Sequence, residues 1–222
     1  MGFLRCALSE WPFLRIRLLR TRLGVWLVLL LAVVLRLDRT AAVSDPLAAV
    51  LLVAGGGATL CVAYLAGARA DRLAIGPALL HPRSPGAMTV GRWLAATGGA
   101  AVLVLAAAVH VGIGIALAGL VTAAAMSAWT LALAWSGGNV LVGAWLIWLA
   151  LAGGQSPEAI LAHPHPGPLR CAIAAALEIL PGLWRYRGLA RADLGAAAHA
   201  ALWVLVGLAI ARSRAGRAVV SP

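Results

Sequence analysis

The sequence predicts an all-α polytopic membrane protein, and three observations support that prediction. Hydrophobic residues make up 63% of the 222 residues and charged residues only 11%, against roughly one quarter charged in a soluble domain. The mean hydropathy is +0.95. Apolar runs of about 20 residues recur along the chain, which is the length a helix needs to cross a bilayer. We therefore expect about six spans in one transmembrane domain, residues 1–222, with no separate soluble domain.

The basic residues are all arginines, 18 in number, and no lysine occurs. Genomic base bias is the plain explanation, but the chemical consequence stands: the chain has neither a phosphate-loop lysine nor a Schiff-base lysine. We therefore expect no cofactor in this chain; any ATP and Mg²⁺ would be bound by a partner. The net charge is +11, and the arginines lie at the ends of apolar runs. This position indicates a role in membrane topology and contact with anionic headgroups, not nucleic-acid binding.

The N-terminal stretch, residues 1–22, is predicted to be an interfacial helix interrupted near Pro12. It carries five arginines together with Trp11 and Phe13. A signal peptide is the alternative interpretation, and Arg36 inside the would-be cleavage region opposes it. The first predicted span covers residues 18–37.

The next spans are predicted at residues 47–68, 90–112, 114–135 and 139–152, with a turn at Ser136-Gly137-Gly138-Asn139 before the last of them. Gly55-Gly56-Gly57 could be mistaken for a phosphate cradle, but within an apolar run it indicates close helix packing. Small residues spaced four apart predict the same at three pairs, Ala95/Gly99, Gly114/Ala118 and Gly119/Ala123.

The region 153–193 is predicted to lie outside the cytoplasm. Its apolar run, residues 171–180, stops at Pro181-Gly182 and is too short to cross, which indicates a re-entrant half-helix. Basic and aromatic residues typical of a membrane interface follow it: Trp184, Arg185, Tyr186, Arg187 and Arg191. The last span is predicted at residues 194–211.

Orientation follows from the arginines in the connecting segments. With the N-terminus inside, twelve arginines lie on the cytoplasmic side and six outside. The positive-inside rule therefore predicts that both termini and the loop 69–92 are cytoplasmic. Within this loop, residues 70–85 have the alternation of packing and polar residues that predicts a short surface helix.

The order of these parts resembles the permease subunits of type-2 ATP-binding-cassette (ABC) exporters. In that family the loop after the second span reads as a short helix, a Leu pair, a small or polar residue, Pro, a polar pair, and a basic residue at the start of the third span. The matching text here is Ala78-Leu79-Leu80-His81-Pro82-Arg83-Ser84, followed by Gly91-Arg92-Trp93-Leu94. Asp71 and Gly76 stand roughly where the family has an acidic residue and a Gly, whereas its Glu ahead of the Leu pair is absent.

The resemblance implies that residues 70–83 form a coupling helix that contacts a separate ABC ATPase subunit. It also implies a second permease copy or a homologous permease, a bacterial-type inner membrane, and no catalysis or metal in this chain. The residues that it assigns to ATPase coupling are Asp71, Arg72, Ile75, Leu79, Leu80, His81 and Arg83. Few polar groups occur in the spans, so we expect a hydrophobic or amphiphilic substrate.

Several ionisable residues lie in or near apolar segments of the sequence and need an explanation. Glu178 is costly near a membrane unless it is paired; it is a candidate for the translocation path, with Arg185 or Arg187 as its partner, or a merely paired interfacial residue. His110 and His199 fit helix packing or a lipid-facing position better than ligation. His163 and His165 alternate with prolines, but no third metal ligand is in view.

Two other classes compete with the permease. Ser136-Gly137 and His199 are similar to the serine and histidine of rhomboid intramembrane proteases, although Ala134 replaces a family Gly and Trp203 stands where that family has Gly. A non-transporting structural subunit of a larger membrane complex would show the same composition. Co-purification of an ATPase favours the permease, fluorophosphonate labelling of Ser136 favours the protease, and neither result favours the structural subunit.

Overall fold

The structure is a computed structural model that describes residues 45–66, 84–107, 112–162 and 167–220. The described residues are helical and contain no strand. The helices are α1 (Pro46–Ala66), α2 (Pro85–Ala107), α3 (Ile113–Leu151), α4 (Pro157–Leu161), α5 (Pro168–Ile179), α6 (Leu183–Tyr186) and α7 (Leu194–Val220), with a 3₁₀ turn at Arg187–Arg191. Four of them, α1, α2, α3 and α7, are long and apolar enough to cross a membrane, which indicates a multi-pass membrane protein. The predicted interfacial helix and first span lie outside the described residues.

Proline sets the start of several helices. Pro46, Pro85, Pro157 and Pro168 are each the first residue of a helix, where the missing N–H costs nothing and the ring fixes a helical φ. Before Pro46 and Pro85 the preceding residue also supplies a cap: an Asp45 carboxylate oxygen accepts from the Ala48 N–H at 3.0 Å, and the Ser84 hydroxyl accepts from the Ala87 N–H at 3.2 Å.

This rule corrects one predicted boundary. The third span was expected from residue 90, but α2 begins five residues earlier, at Pro85, because Ser84-Pro85 is a complete helix start. The predicted loop 69–92 is therefore shorter, and Arg92 lies inside α2. Its side chain is 6% exposed, and its guanidinium carbon lies 5.3 Å from the centre of the Trp135 ring, within the range of a cation–π contact.

The predicted fourth span corresponds to the first arm of α3, whereas the predicted fifth span is only its second arm, residues 139–151, which is too short to cross a bilayer. Gly137 and Gly138 have non-helical backbone angles within it, and Gly138 has φ +63°, which side chains disfavour. The rings of Trp129 and Trp145 lie 6.1 Å apart, although 16 residues of straight helix would separate them by about 24 Å. The chain therefore reverses at the two glycines, and α3 is a hairpin whose second arm is short.

Close packing joins the long helices. The Thr59 and Thr130 hydroxyls lie 3.4 Å apart between α1 and α3. A Cβ added at Gly99 would lie 3.0 Å from Cys61 Sγ, and one at Gly119 would lie 2.8 Å from Val50 Cγ1. The predicted small-residue packing is therefore observed at Gly99 and Gly119. Gly55 likewise faces Leu183 and Met126, as expected for a packing glycine.

The bundle has two ends. Residues 153–162 and 167–193, named here the cap, cover the end where α1, α3 and α7 begin. Trp184 N–H donates to Gly153 O at 3.2 Å, and Leu183 and Tyr186 belong to the core cluster with Val50 and Ala200. The opposite end, named the arginine end, holds the second cluster, in which Cys61, Ala95, Ala134 and Ala211 meet.

Candidate functional site

The residues predicted to couple to an ATPase, Asp71 through Arg83, lie outside the described part of the chain. The structure places the two helix ends that flank them. Cys61 and Val62 of α1 pack against Ala95 and Ala96 of α2 in the cluster at the arginine end. The loop between α1 and α2 therefore begins and ends at the arginine end, opposite the cap.

Glu178 lies on α5 in the cap and is exposed. It forms an ion pair with Arg185, one of the two partners that the sequence suggested. The other, Arg187, instead pairs with Asp45 just before α1. Both pairs are partly exposed, so each contributes at most about 1 kcal/mol to stability. The first pair joins α5 to α6 within the cap, and the second joins the cap to the start of α1.

A cavity of about 370 Å³ lies between α4 and α5, with Glu158 and Glu178 on its wall beside Leu161 and Ala174. Its size falls within the range of small-molecule pockets, about 300–1,000 Å³. A hydrogen bond from its own backbone N–H, and a second one involving Ser156, lower the pKa of Glu158. Glu158 therefore keeps its negative charge to lower pH than an ordinary glutamate.

The end of α5 is where the cap meets α7. Pro181 cannot continue the helix, so its last carbonyls need partners from elsewhere. Trp203 Nε1 of α7 donates to Ile179 O at 2.9 Å, and His199 Nε2 lies 3.2 Å from the same oxygen. Trp184 Nε1 donates to Leu177 O at 3.1 Å. The sequence indicated the helix stop at Pro181-Gly182, but not that indole and imidazole groups would complete it.

Aromatic rings continue from the cap into the bundle. Tyr186 and His199 have ring centres 5.8 Å apart, and Trp203 lies 4.7 Å from Trp129, which in turn contacts Trp145. Burial raises the pKa of Tyr186, so the phenol stays protonated at neutral pH. Its hydroxyl, His199 Nδ1 and the indole N–H groups of Trp129 and Trp145 have no hydrogen-bond partner among the described residues. This aromatic row is the part of the site that sequence reasoning missed.

The serine and histidine of the protease alternative are not brought together. Ser136 directly precedes the α3 turn at the arginine end, next to Ala134, which packs in the same cluster as Ala211. His199 lies twelve residues before Ala211 on α7, about 18 Å along the helix axis, and contacts the cap. The structure therefore gives Ser136 no neighbouring histidine from α7.

Metal binding has no support within the described residues, which contain no group of three or more His, Cys, Asp or Glu that could hold an ion. His163, His165 and His110 fall outside them. The chain matches no family model, no curated protein and no solved structure.

Proposed function

We propose that this chain is the permease subunit of an ATP-driven exporter of the ABC type, which moves a hydrophobic or amphiphilic substrate while a separate subunit hydrolyses ATP. The observation that supports this most is the position of the α1–α2 loop. It leaves and enters the bundle at the arginine end, the end that the positive-inside rule assigns to the cytoplasm. An ATPase in the cytoplasm could reach it there.

The helices flanking that loop are suited to transmit a displacement. A Cβ added at Gly99 would lie 3.0 Å from Cys61 Sγ, so the Gly99 backbone of α2 packs directly against a side chain of α1. The hydroxyl contact between Thr59 and Thr130 joins α1 to α3. Because packed helices shift as units instead of deforming continuously, force on the loop would move the bundle as a whole.

The cap is suited to the exit side of such a permease. The α5 helix has 12 residues, about 18 Å in length, too short to cross a bilayer. It exposes apolar residues outward, with Leu169 71% and Ile179 65% exposed, as a helix lying in the membrane interface does. Glu178 and the aromatic row border the region where an amphiphilic substrate would leave.

The test exchanges Leu79 and Leu80 for aspartate in the full chain, expressed with its ATPase. These changes remove the apolar contact proposed for the coupling helix and touch no described contact. We expect substrate-stimulated ATP hydrolysis to be lost while membrane insertion is kept. Gly154→Asp combined with Gln155→Asp is the matched control, because it adds the same two negative charges at exposed positions of the cap, and it should leave hydrolysis unchanged.

Three results would contradict the proposal. Hydrolysis that is still stimulated in the double variant would show that the loop is not the coupling element. If no ATPase remains bound to the unmodified chain after mild detergent extraction, a structural subunit becomes the better assignment. Labelling of Ser136 by a fluorophosphonate would instead favour the protease.

A further inference from the structure

A groove at the arginine end lies between the first turns of α2 and the later part of α7. It encloses about 200 Å³ and is lined by Gly86, Thr89, Val90, Leu208, Ala209 and Arg212. That volume is below the range of about 300–1,000 Å³ in which whole small molecules are bound. The groove is therefore sized for part of a larger ligand, such as a segment of a hydrocarbon chain.

The walls of the groove offer almost no polar group. Thr89 is buried. Its hydroxyl already donates to Pro85 O of its own helix at 2.8 Å, so it has no hydrogen left to donate to a ligand. Gly86 has no side chain, and Val90, Leu208 and Ala209 are apolar. A sugar or an amino acid would find few hydrogen-bond partners here, whereas a hydrocarbon chain needs none.

One cation stands at this groove. Arg212 is exposed and forms no ion pair or hydrogen bond with other residues that the structure describes. The arginine end also contains Arg214 and Arg92 but no carboxylate within the described ranges. A guanidinium matches the geometry of a phosphate, to which it can donate two parallel hydrogen bonds.

We propose that this groove binds one anionic phospholipid, with the lipid phosphate on Arg212 and part of an acyl chain along Val90, Leu208 and Ala209. An apolar cleft with an arginine at its membrane-surface end is the combination that a lipid of this class requires. The binding does not depend on the transport function proposed above, because it uses only the contact between α2 and α7.

The experiment measures lipid retention by native mass spectrometry of the full-length protein, purified with equal amounts of phosphatidylglycerol and phosphatidylcholine. The unmodified chain should retain phosphatidylglycerol in preference. Arg212→Gln should reduce that preference about five-fold, which corresponds to about 1 kcal/mol. Arg214→Gln is the matched control: it removes the same charge at the same end but on the opposite side of α7, 200° around the helix, and should leave the preference intact.

A second variant tests the apolar part. Ala209→Phe fills the groove without changing charge, and it should lower the retention of both lipids. Thermal unfolding of each variant in neutral detergent shows whether the fold is kept. An equal loss in the Arg214 variant would mean that only diffuse charge attracts lipid and would overturn the proposal, as would an absence of any lipid preference. A dimer that dissociates on Ala209→Phe while lipid retention stays constant would overturn it in favour of a second copy of the chain.

Discussion

The two ends of the bundle differ in charge. The described part of the cap end carries four arginines and four carboxylates, Arg170, Arg185, Arg187, Arg191, Asp45, Glu158, Glu178 and Asp193, two pairs of which form salt bridges. The described part of the arginine end has Arg92, Arg212, Arg214 and Arg217 and no acid. The two salt bridges hold the cap together and join it to the start of α1, whereas the excess positive charge at the other end attracts anionic headgroups. The positive-inside rule predicts that the arginine end faces the cytoplasm.

The ends also differ in how the chain turns. At the arginine end α3 reverses within two glycines. At the cap the chain takes 41 residues, 153–193, to return from α3 to α7, and it buries Leu183 and Tyr186 on the way. Of these two connections, the glycine turn is too short to place side chains against the bundle, whereas the cap packs Leu183 and Tyr186 into the core.

The largest expected effect is on cysteine labelling, because the two ends of the bundle should lie on opposite sides of the membrane. In a variant whose only cysteine is Cys171, an exposed residue of the cap, a membrane-impermeant maleimide added to intact cells should label the protein. A second variant, in which Ser213→Cys at the arginine end provides the only cysteine, should be labelled after permeabilisation alone. The reverse pattern would place the α1–α2 loop outside and would remove the basis of the proposed ATPase coupling.

Attachment of the cap should depend on Tyr186. Its side chain is fully buried, and removing a large aromatic ring from a core costs about 3–5 kcal/mol, so Tyr186→Ala should lower the free energy of unfolding by that amount. Tyr186→Phe is the control. It keeps the ring and removes a hydroxyl that has no partner in the described residues, so its stability should be equal or slightly higher. Denaturant titration in detergent measures both. A loss in the Phe variant as large as in the Ala variant would show that the hydroxyl is bound.

The smallest expected effects are changes in stability at two residues with a positive φ, one at each end of the bundle. Gly138 in the α3 turn has φ +63° and ψ −151°, a region that only glycine enters readily, so Gly138→Ala should destabilise by about 1–3 kcal/mol. Ala192 in the cap has φ 57°, and glycine would relieve that strain of about 1–2 kcal/mol at an entropic cost of about 0.5–1 kcal/mol. Ala192→Gly should therefore stabilise slightly. Thermal unfolding of both variants checks the opposite signs, and the same sign at both sites would contradict them.

Much of this architecture could be predicted from the sequence, because its signals are local. Apolar run length identified α1, α2, α7 and the first arm of α3, and it showed that the run before α7 could not cross. The prolines after Asp45 and Ser84 mark helix starts by their own geometry; overlooking the second of them moved the start of α2 by five residues. Arginine counts, which need no coordinates, divided the segments between two sides.

Other features depend on which residues the fold brings together. Nothing in the text around Glu178 selects Arg185 over Arg187, because the choice follows from how the α5–α6 corner folds and from Asp45 lying within reach of Arg187. The Ile179 carbonyl gains Trp203 as its donor only because α7 crosses the end of α5. Local chemistry, then, determined where helices begin, how long they are and which end is positive. Contacts between residues far apart in the chain decided the ion pairs, the aromatic row and the groove between α2 and α7, since side-chain partners are set by packing and not by sequence neighbours.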